Sequence, residues 1–447
     1  MPASYLPYQP DQDFLLPPSI KEWLPEGHLA YFVSDTVDSL DVSAFHARYA
    51  EGGSRNQPFD PAMMVKVLVY AYATGVFSSR KIARKLHENV ALRVLAAGNF
   101  PAHRTISDFR AFHLKELGEL FVQVVRLARE MGLVKLGTIA VDGTKVKANA
   151  SRHKAMSYGH MLKAEAELKA QIAALLNRAK AADDAEKNEP DLDIPAEIAR
   201  RQDRLQAIEE ARSRLEKRQR EADLERGRDE DDDRHPKAKN GKRSGGRYKR
   251  ESGVPPDRDQ ESFTDPDSRV MKRAGGGFDA SYNAQTAVDE QAHIIVAAEL
   301  TNIGSDAGEL PRLLQAVEAN LGKAPQQVLA DTGYRSEAVF KQLAGGATEV
   351  LVSLGREGKQ QLTFYAERNP HTGDMAARLQ SIEGKRAYSK RKWIAEPPNG
   401  WIKNVVGFRQ FSMRGLHRVR AGVHGAESAA HGRARHKLAA MKRPSCN

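Results

Sequence analysis

The 447-residue sequence holds a single cysteine, Cys446, next to its last residue. One thiol excludes an intramolecular disulfide and any cysteine-rich zinc site, and it suits a reducing cytoplasm. Long apolar runs are also missing: the longest stretches, such as 65–72, are too short and interrupted to span a bilayer. The first eight residues carry no charged segment leading into an apolar one, so no signal peptide is expected. No histidines stand at metal-ligand spacing, no nucleophile is paired with a histidine, and no glycine loop is built to cradle phosphate. These absences set aside the common hydrolase and nucleotide-dependent readings. No internal repeat is present.

What is present begins with charge. Lys and Arg outnumber Asp and Glu by 69 to 58, a formal net charge of +11. That balance favours a polyanionic partner, without separating DNA from RNA or either from a membrane surface. The length allows two or three domains. Residues 1–132 read as an all-α N-terminal unit. A helix starts at Asp60-Pro61, with Met63, Met64, Val67, Leu68 and Ala71 at helical spacing until Gly75. A second helix over 79–86 turns Ile82 and Leu86 inward and Arg80, Lys81, Arg84 and Lys85 outward. The segment from His103 to His113, carrying Arg104 and Arg110, leads into an apolar helix over 114–131. Short helices with a basic outer face make a DNA-docking element, loosely helix-turn-helix in kind; a bundle whose arginines face water is the plainer alternative.

A strand is expected over 138–141, then two more over 282–288 and 294–300. The first is separated from the others by a large insertion. Within it, residues 151–225 hold two apolar stripes at helical spacing, Leu168, Ile172 and Leu175 against Ile198, Leu205, Ile208 and Leu215, which predict a helical hairpin or coiled coil. Residues 226–277 are charged and poor in apolar groups, and read as a disordered linker. Beyond it, helices over 310–321, 336–343 and 375–388 alternate with strands over 326–330 and 349–354. Without the insertion the order is β-β-β-α-β-α-β-α. An antiparallel meander followed by parallel crossovers makes a mixed sheet with helices on its faces, the ribonuclease-H-like order, over residues 133–150 and 278–420.

Three acids stand out by context. Asp142 ends the apolar run Gly137-Thr-Ile-Ala-Val-Asp142-Gly143, Asp331 ends a second one before Thr332-Gly333-Tyr334, and Glu396 lies in Ile394-Ala395-Glu396-Pro397-Pro398. Acids at the ends of adjacent strands, joined by a third from a covering helix, can hold two divalent cations roughly 4 Å apart. Magnesium suits such oxygen ligands, and manganese can substitute. Taken singly, a strand-end Asp is most often a turn residue and a Glu before Pro-Pro a helix-entry residue.

Taken together, these segments resemble the DDE transposases of bacterial insertion sequences, in the branch with an N-terminal helical domain and a Tyr-Arg-Glu-Lys signature. Tyr388, Arg391 or Lys392, Glu396 and Lys403 would supply that signature, with Tyr388 about one position off the usual spacing. Pro58-Phe-Asp-Pro61, His103-Arg-Thr-Ile106, Thr264-Asp-Pro-Asp-Ser-Arg269 and Gly407-Phe-Arg-Gln-Phe411 look similar too. The resemblance runs from about residue 5 to 420. It implies a ribonuclease-H-like core with two magnesium ions that cuts DNA at terminal inverted repeats and joins the freed 3′-hydroxyl ends to target DNA. It implies that Asp142 contacts both ions while Asp331 and Glu396 complete one each, and that Tyr388 and Lys403 hold DNA phosphate. Double-stranded DNA is the expected partner, and synapsis of two ends implies a homodimer or larger assembly.

Two departures are visible. Pro397-Pro398-Asn399-Gly400 predicts either a new helix starting at the prolines or a kink at Glu396. Residues 421–447 lack the apolar helix expected there, which suggests a lost reading frame and a copy that binds DNA without cutting it.

Overall fold

The computed structural model describes residues 19–49, 57–184, 194–228, 250–273, 275–355 and 367–420. The basic run after 237, except Arg250, and the atypical residues 421–447 lie outside them. Seven helices come first: α1 (Leu29–Asp38), α2 (Ser43–Ala47), α3 (Pro61–Ala73), α4 (Ser79–Glu88), α5 (Val90–Leu95), α6 (His103–Phe112) and α7 (Leu114–Glu130). The expected cap is in place: Asp60 Oδ1 accepts from the Met63 amide at 2.8 Å, and Pro61 opens the helix without losing a bonded N–H. α3 is buried on almost every side, and Met64, Leu68, Ile82, Leu86, Leu92 and Ile106 form a core of their own.

The strands follow as β1 (Thr138–Lys147) and β2 (Ala155–Ser157), then the long helices α8 (Tyr158–Asp184) and α9 (Ile194–Glu225). After them come β3 (Gln260–Ser262), β4 (Arg269–Lys272), β5 (Phe278–Asp289), β6 (Ile295–Thr301), α10 (Leu310–Leu321), β7 (Gln327–Ala330), α11 (Glu337–Leu343) and β8 (Glu349–Val352). The last helices are α12 (Pro370–Gln380), α13 (Ile382–Ser389) and α14 (Arg391–Gly400). The main sheet runs β4-β5-β1-β7-β8, with β6 also paired to β5. β1, β5 and β6 form the antiparallel meander, and β7 and β8 add in parallel.

The structure corrects four expectations. β1 does not stop at Val141 but runs to Lys147, because its second half pairs residue for residue with 281–286 of β5. The charged segment ending at 277 is not all linker: β3 pairs with β2, and β4 forms an edge of the main sheet. Buried Asp265 anchors that segment, accepting from Tyr282 Oη at 2.8 Å. The helix expected over 375–388 is two helices, because Ser381 ends α12 and caps α13 by accepting from the Gly384 amide at 2.9 Å. No new helix starts at the prolines, since α14 continues through Pro397 and Pro398 into a wide π-type turn, Trp401–Val405. Pro398 has no N–H for the Ile394 carbonyl; His293 Nδ1, from the β5–β6 turn, lies 3.3 Å from that oxygen instead.

The insertion carries the long helices α8 and α9 packed on one another. Among the described residues their packed core, Tyr158, Met161, Ala164, Leu168, Ile208, Ala211 and Leu215, lies at the end nearest the sheet.

Candidate active site

β1 lies between β5 and β7, and the two pairings differ in extent. Nine residues of β1 are in register with β5, whereas only Thr138–Ala140 pair with Gln327–Leu329 of β7. Continuing that parallel register puts Asp142 level with Asp331, where the two strands part. Asp331 opens a single 3₁₀ turn, Thr332–Tyr334, its Oδ1 accepting from the Gly333 amide at 2.9 Å.

α14 covers the face of β1 that carries Asp142 and Thr144. Asn399, buried, donates from Nδ2 to Asp142 Oδ2 at 3.2 Å, and the same nitrogen is 3.3 Å from Thr286 Oγ1 on β5. Lys403, in the π-type turn, donates to Thr144 Oγ1. Burial and then the charge of Asp331 push the Asp142 carboxyl up to about 6, against the pull of Arg391 and Lys403. Burial lowers the ammonium of Lys403, opposed by the charge of Asp142. Asp331, Gly333, Tyr388 and the buried Arg391 line a cavity of about 430 Å³.

The structure therefore brings Asp142, Asp331, Tyr388, Arg391 and Lys403 to one region. It does not bring Glu396 in: that side chain is exposed, and Asn399, one turn further on, is the residue of α14 that reaches Asp142. Among the described residues no three carboxylate, histidine or cysteine groups converge as a metal cluster. The two aspartates alone supply a hard oxygen donor set of the kind a divalent cation takes.

Of the arginines expected to face DNA, Arg80, Arg84 and Arg104 are exposed, as is Lys392. Arg80 and Arg104 border a cavity of about 920 Å³ together with Arg414 and Arg418. Arg110 is a correction. It is buried, and its Nη1 donates to Tyr72 Oη at 3.1 Å and to the Phe77 carbonyl at 2.9 Å. Its inward position follows the helical period, four residues after Ile106 and next to Phe109. Sequence reasoning also missed Asn399 and Asp306. The first lay hidden in a motif read for its acid and prolines. The second sits in a polar, glycine-flanked loop with no signal beyond that of a turn.

A family described as Transposase domain (DUF772) matches residues 18–111, and one described as Transposase DDE domain matches residues 252–430. Both matches are to transposase families, and together they are consistent with a DDE transposase of an insertion element. The core is accordingly ribonuclease-H-like, and the DDE match begins at 252, taking in β3 and β4. No curated protein and no solved structure matches the chain. No helix among the described residues is long and apolar enough to cross a membrane.

Proposed function

We propose that this transposase cuts phosphodiesters at the terminal inverted repeats of its element and joins the freed 3′-hydroxyls to target DNA, using divalent cations held by Asp142 and Asp331. The observation that carries the reading is the placement of those two acids, level with each other on adjacent strands at the point where the strands separate. Magnesium, or manganese in its stead, in two sites fits the all-oxygen donors; when bound, such ions activate the attacking water or hydroxyl and stabilise the leaving oxygen. Asn399 orients the Asp142 carboxylate through its 3.2 Å bond. Arg391 and Tyr388, on the wall of the cavity beside Asp331, and Lys403 beside Thr144 are placed to take DNA phosphate. Glu396 completes the acid set when α14 presents it inward. Arg80, Arg84, Arg104 and Lys392 contact the duplex outside the reacting centre.

One observation favours a second reading, in which the chain binds element ends without cutting: Glu396 points outward while Asn399 occupies Asp142. Cleavage of a labelled duplex carrying the terminal repeat, with magnesium or manganese, separates the two. Nicking at the repeat boundary by the wild type, absent in Asp142→Ala, supports the transposase chemistry. Repeat-specific retention with no nicking by either protein supports the second.

A further inference from the structure

The mouth between β1 and β7 is closed from the other face of the sheet by one acid. Side chains alternate along a strand, so Gly143 and Lys145 face away from Asp142 and Thr144. On that opposite face Asp306, from the loop between β6 and α10, is held by four contacts from three residues. Asn283 Nδ2 and Gln285 Nε2 donate to its Oδ1 at 2.6 and 2.7 Å, and Lys145 Nζ lies 3.1 and 3.4 Å from its two oxygens. Gln285 is itself fixed, since its Oε1 accepts from the buried hydroxyl of Tyr334. Asn283 cannot flip without turning its oxygen against the carboxylate.

Both glycines that follow the candidate acids are explained by this residue. A Cβ on Gly143 would stand 2.6 Å from Asp306 Oδ1 and 2.7 Å from Gln285 Nε2. A Cβ on Gly333 would stand 3.0 Å from Asp306 Oδ2 and 2.9 Å from Asp331 Oδ1. Neither glycine has a positive φ, so the requirement is room, not backbone conformation. In Asp142-Gly143 and Asp331-Thr332-Gly333-Tyr334, the glycines admit Asp306 and Tyr334 bonds the amide that holds it.

We propose that Asp306 is a positioning residue of the metal centre: wedged between Gly143 and Gly333, it sets the gap at which Asp142 and Asp331 take a divalent cation and ties the Lys145 ammonium away from them. This rests on the reading of Asp142 and Asp331 given above. Asp306→Asn keeps an oxygen for Asn283 and Gln285 but loses the charge that holds Lys145. Gly143→Ala keeps every charge and displaces the Asp306 carboxylate without meeting Asp331. The test is Mn²⁺ binding to the full-length chain, followed by electron paramagnetic resonance, with circular dichroism and DNA retention measured alongside.

Expected are a loss of about 10- to 100-fold in Mn²⁺ affinity in each variant, unchanged circular dichroism and DNA retention, and recovery of cleavage at raised Mn²⁺. If Asp306→Asn is unfolded, Gly143→Ala decides. Wild-type Mn²⁺ affinity in the folded variants, with binding lost in Asp142→Asn, overturns the inference alone. Absence of Mn²⁺ binding in the wild type, or its survival in Asp142→Asn, overturns the reading of the site and the inference with it.

Discussion

Asp142 holds its proton in the folded chain up to about pH 6, while its ordinary value is 3.8. Between those values the native state binds more protons than the unfolded one, so stability falls as the pH rises through that window and stays lowered above it. The ionised carboxylate is thus a cost that the fold carries, as expected of a group kept for chemistry. Asp142→Asn should abolish cleavage yet raise stability at pH 7 by about 1–2 kcal/mol, after discounting for partial exposure. Thermal unfolding without added metal would show the gain at pH 7 and its disappearance near pH 4; an equal gain at both values would refute the charge argument. Arg110 and Arg104 give the converse pair. Arg110→Ala should destabilise by about 2–4 kcal/mol, since it strands the Phe77 carbonyl and opens a void. Arg104→Ala, on the surface, should leave the melting temperature unchanged and weaken DNA retention, with a shallower dependence on salt.

At the scale of elements, α14 keeps helical geometry through two prolines that cannot donate to the carbonyls of Trp393 and Ile394. Pro397 is exposed, so its replacement loses no packing. Pro397→Ala should stabilise by up to about 3 kcal/mol, read as a higher melting temperature and slower amide exchange in α14. An unchanged melting temperature would show that the helix is held entirely by its contacts with the sheet. The same helix marks the limit of what the sequence discloses. Apolar period located α4 and α10, and apolar runs located α3 and the parallel strands, nearly to the residue, because the burial that forms each is written in consecutive residues. It failed where partners lie far along the chain. The second half of β1 reads as polar loop and becomes strand only by pairing with β5, and β3 pairs with β2 from across the insertion; β4, whose partner β5 follows directly, is too short to carry a period. The site divides along the same line. Asp142 and Asp331 follow runs of apolar residues and could be found. Asn399 and Asp306 are defined by what they touch across more than 100 and more than 20 residues of sequence respectively, which no spacing reveals.

For the whole molecule, the helical N-terminal unit is tied to the core through Phe121, Val125 and Ala128 of α7, buried with the sheet, and through further ring and polar contacts. Phe77 packs edge-on against Phe408 at 4.7 Å, and Arg126 and Arg129 of α7 donate to the Asn320 and Leu321 carbonyls at the end of α10, at 2.8 and 2.5 Å. The second contact caps a helix C-terminus with cationic groups, a favourable arrangement. The insertion is different, since among the described residues its buried apolar side chains stop at Leu168 on one helix and Ile208 on the other. Replacing residues 172–204 by a short turn should therefore leave thermal stability within about 0.5 kcal/mol, as for surface changes. A large loss of stability in that variant would show that the outer half is part of the folding unit.

β1 is fastened along nine residues on one side and three on the other. In mechanical terms the site is a clasp with one fixed jaw and one sprung jaw. Asp142 cannot move without unzipping the centre of the sheet, whereas Asp331 rides on a single turn at the end of a four-residue strand. Any change in the separation of the two aspartates therefore falls to the Asp331 side.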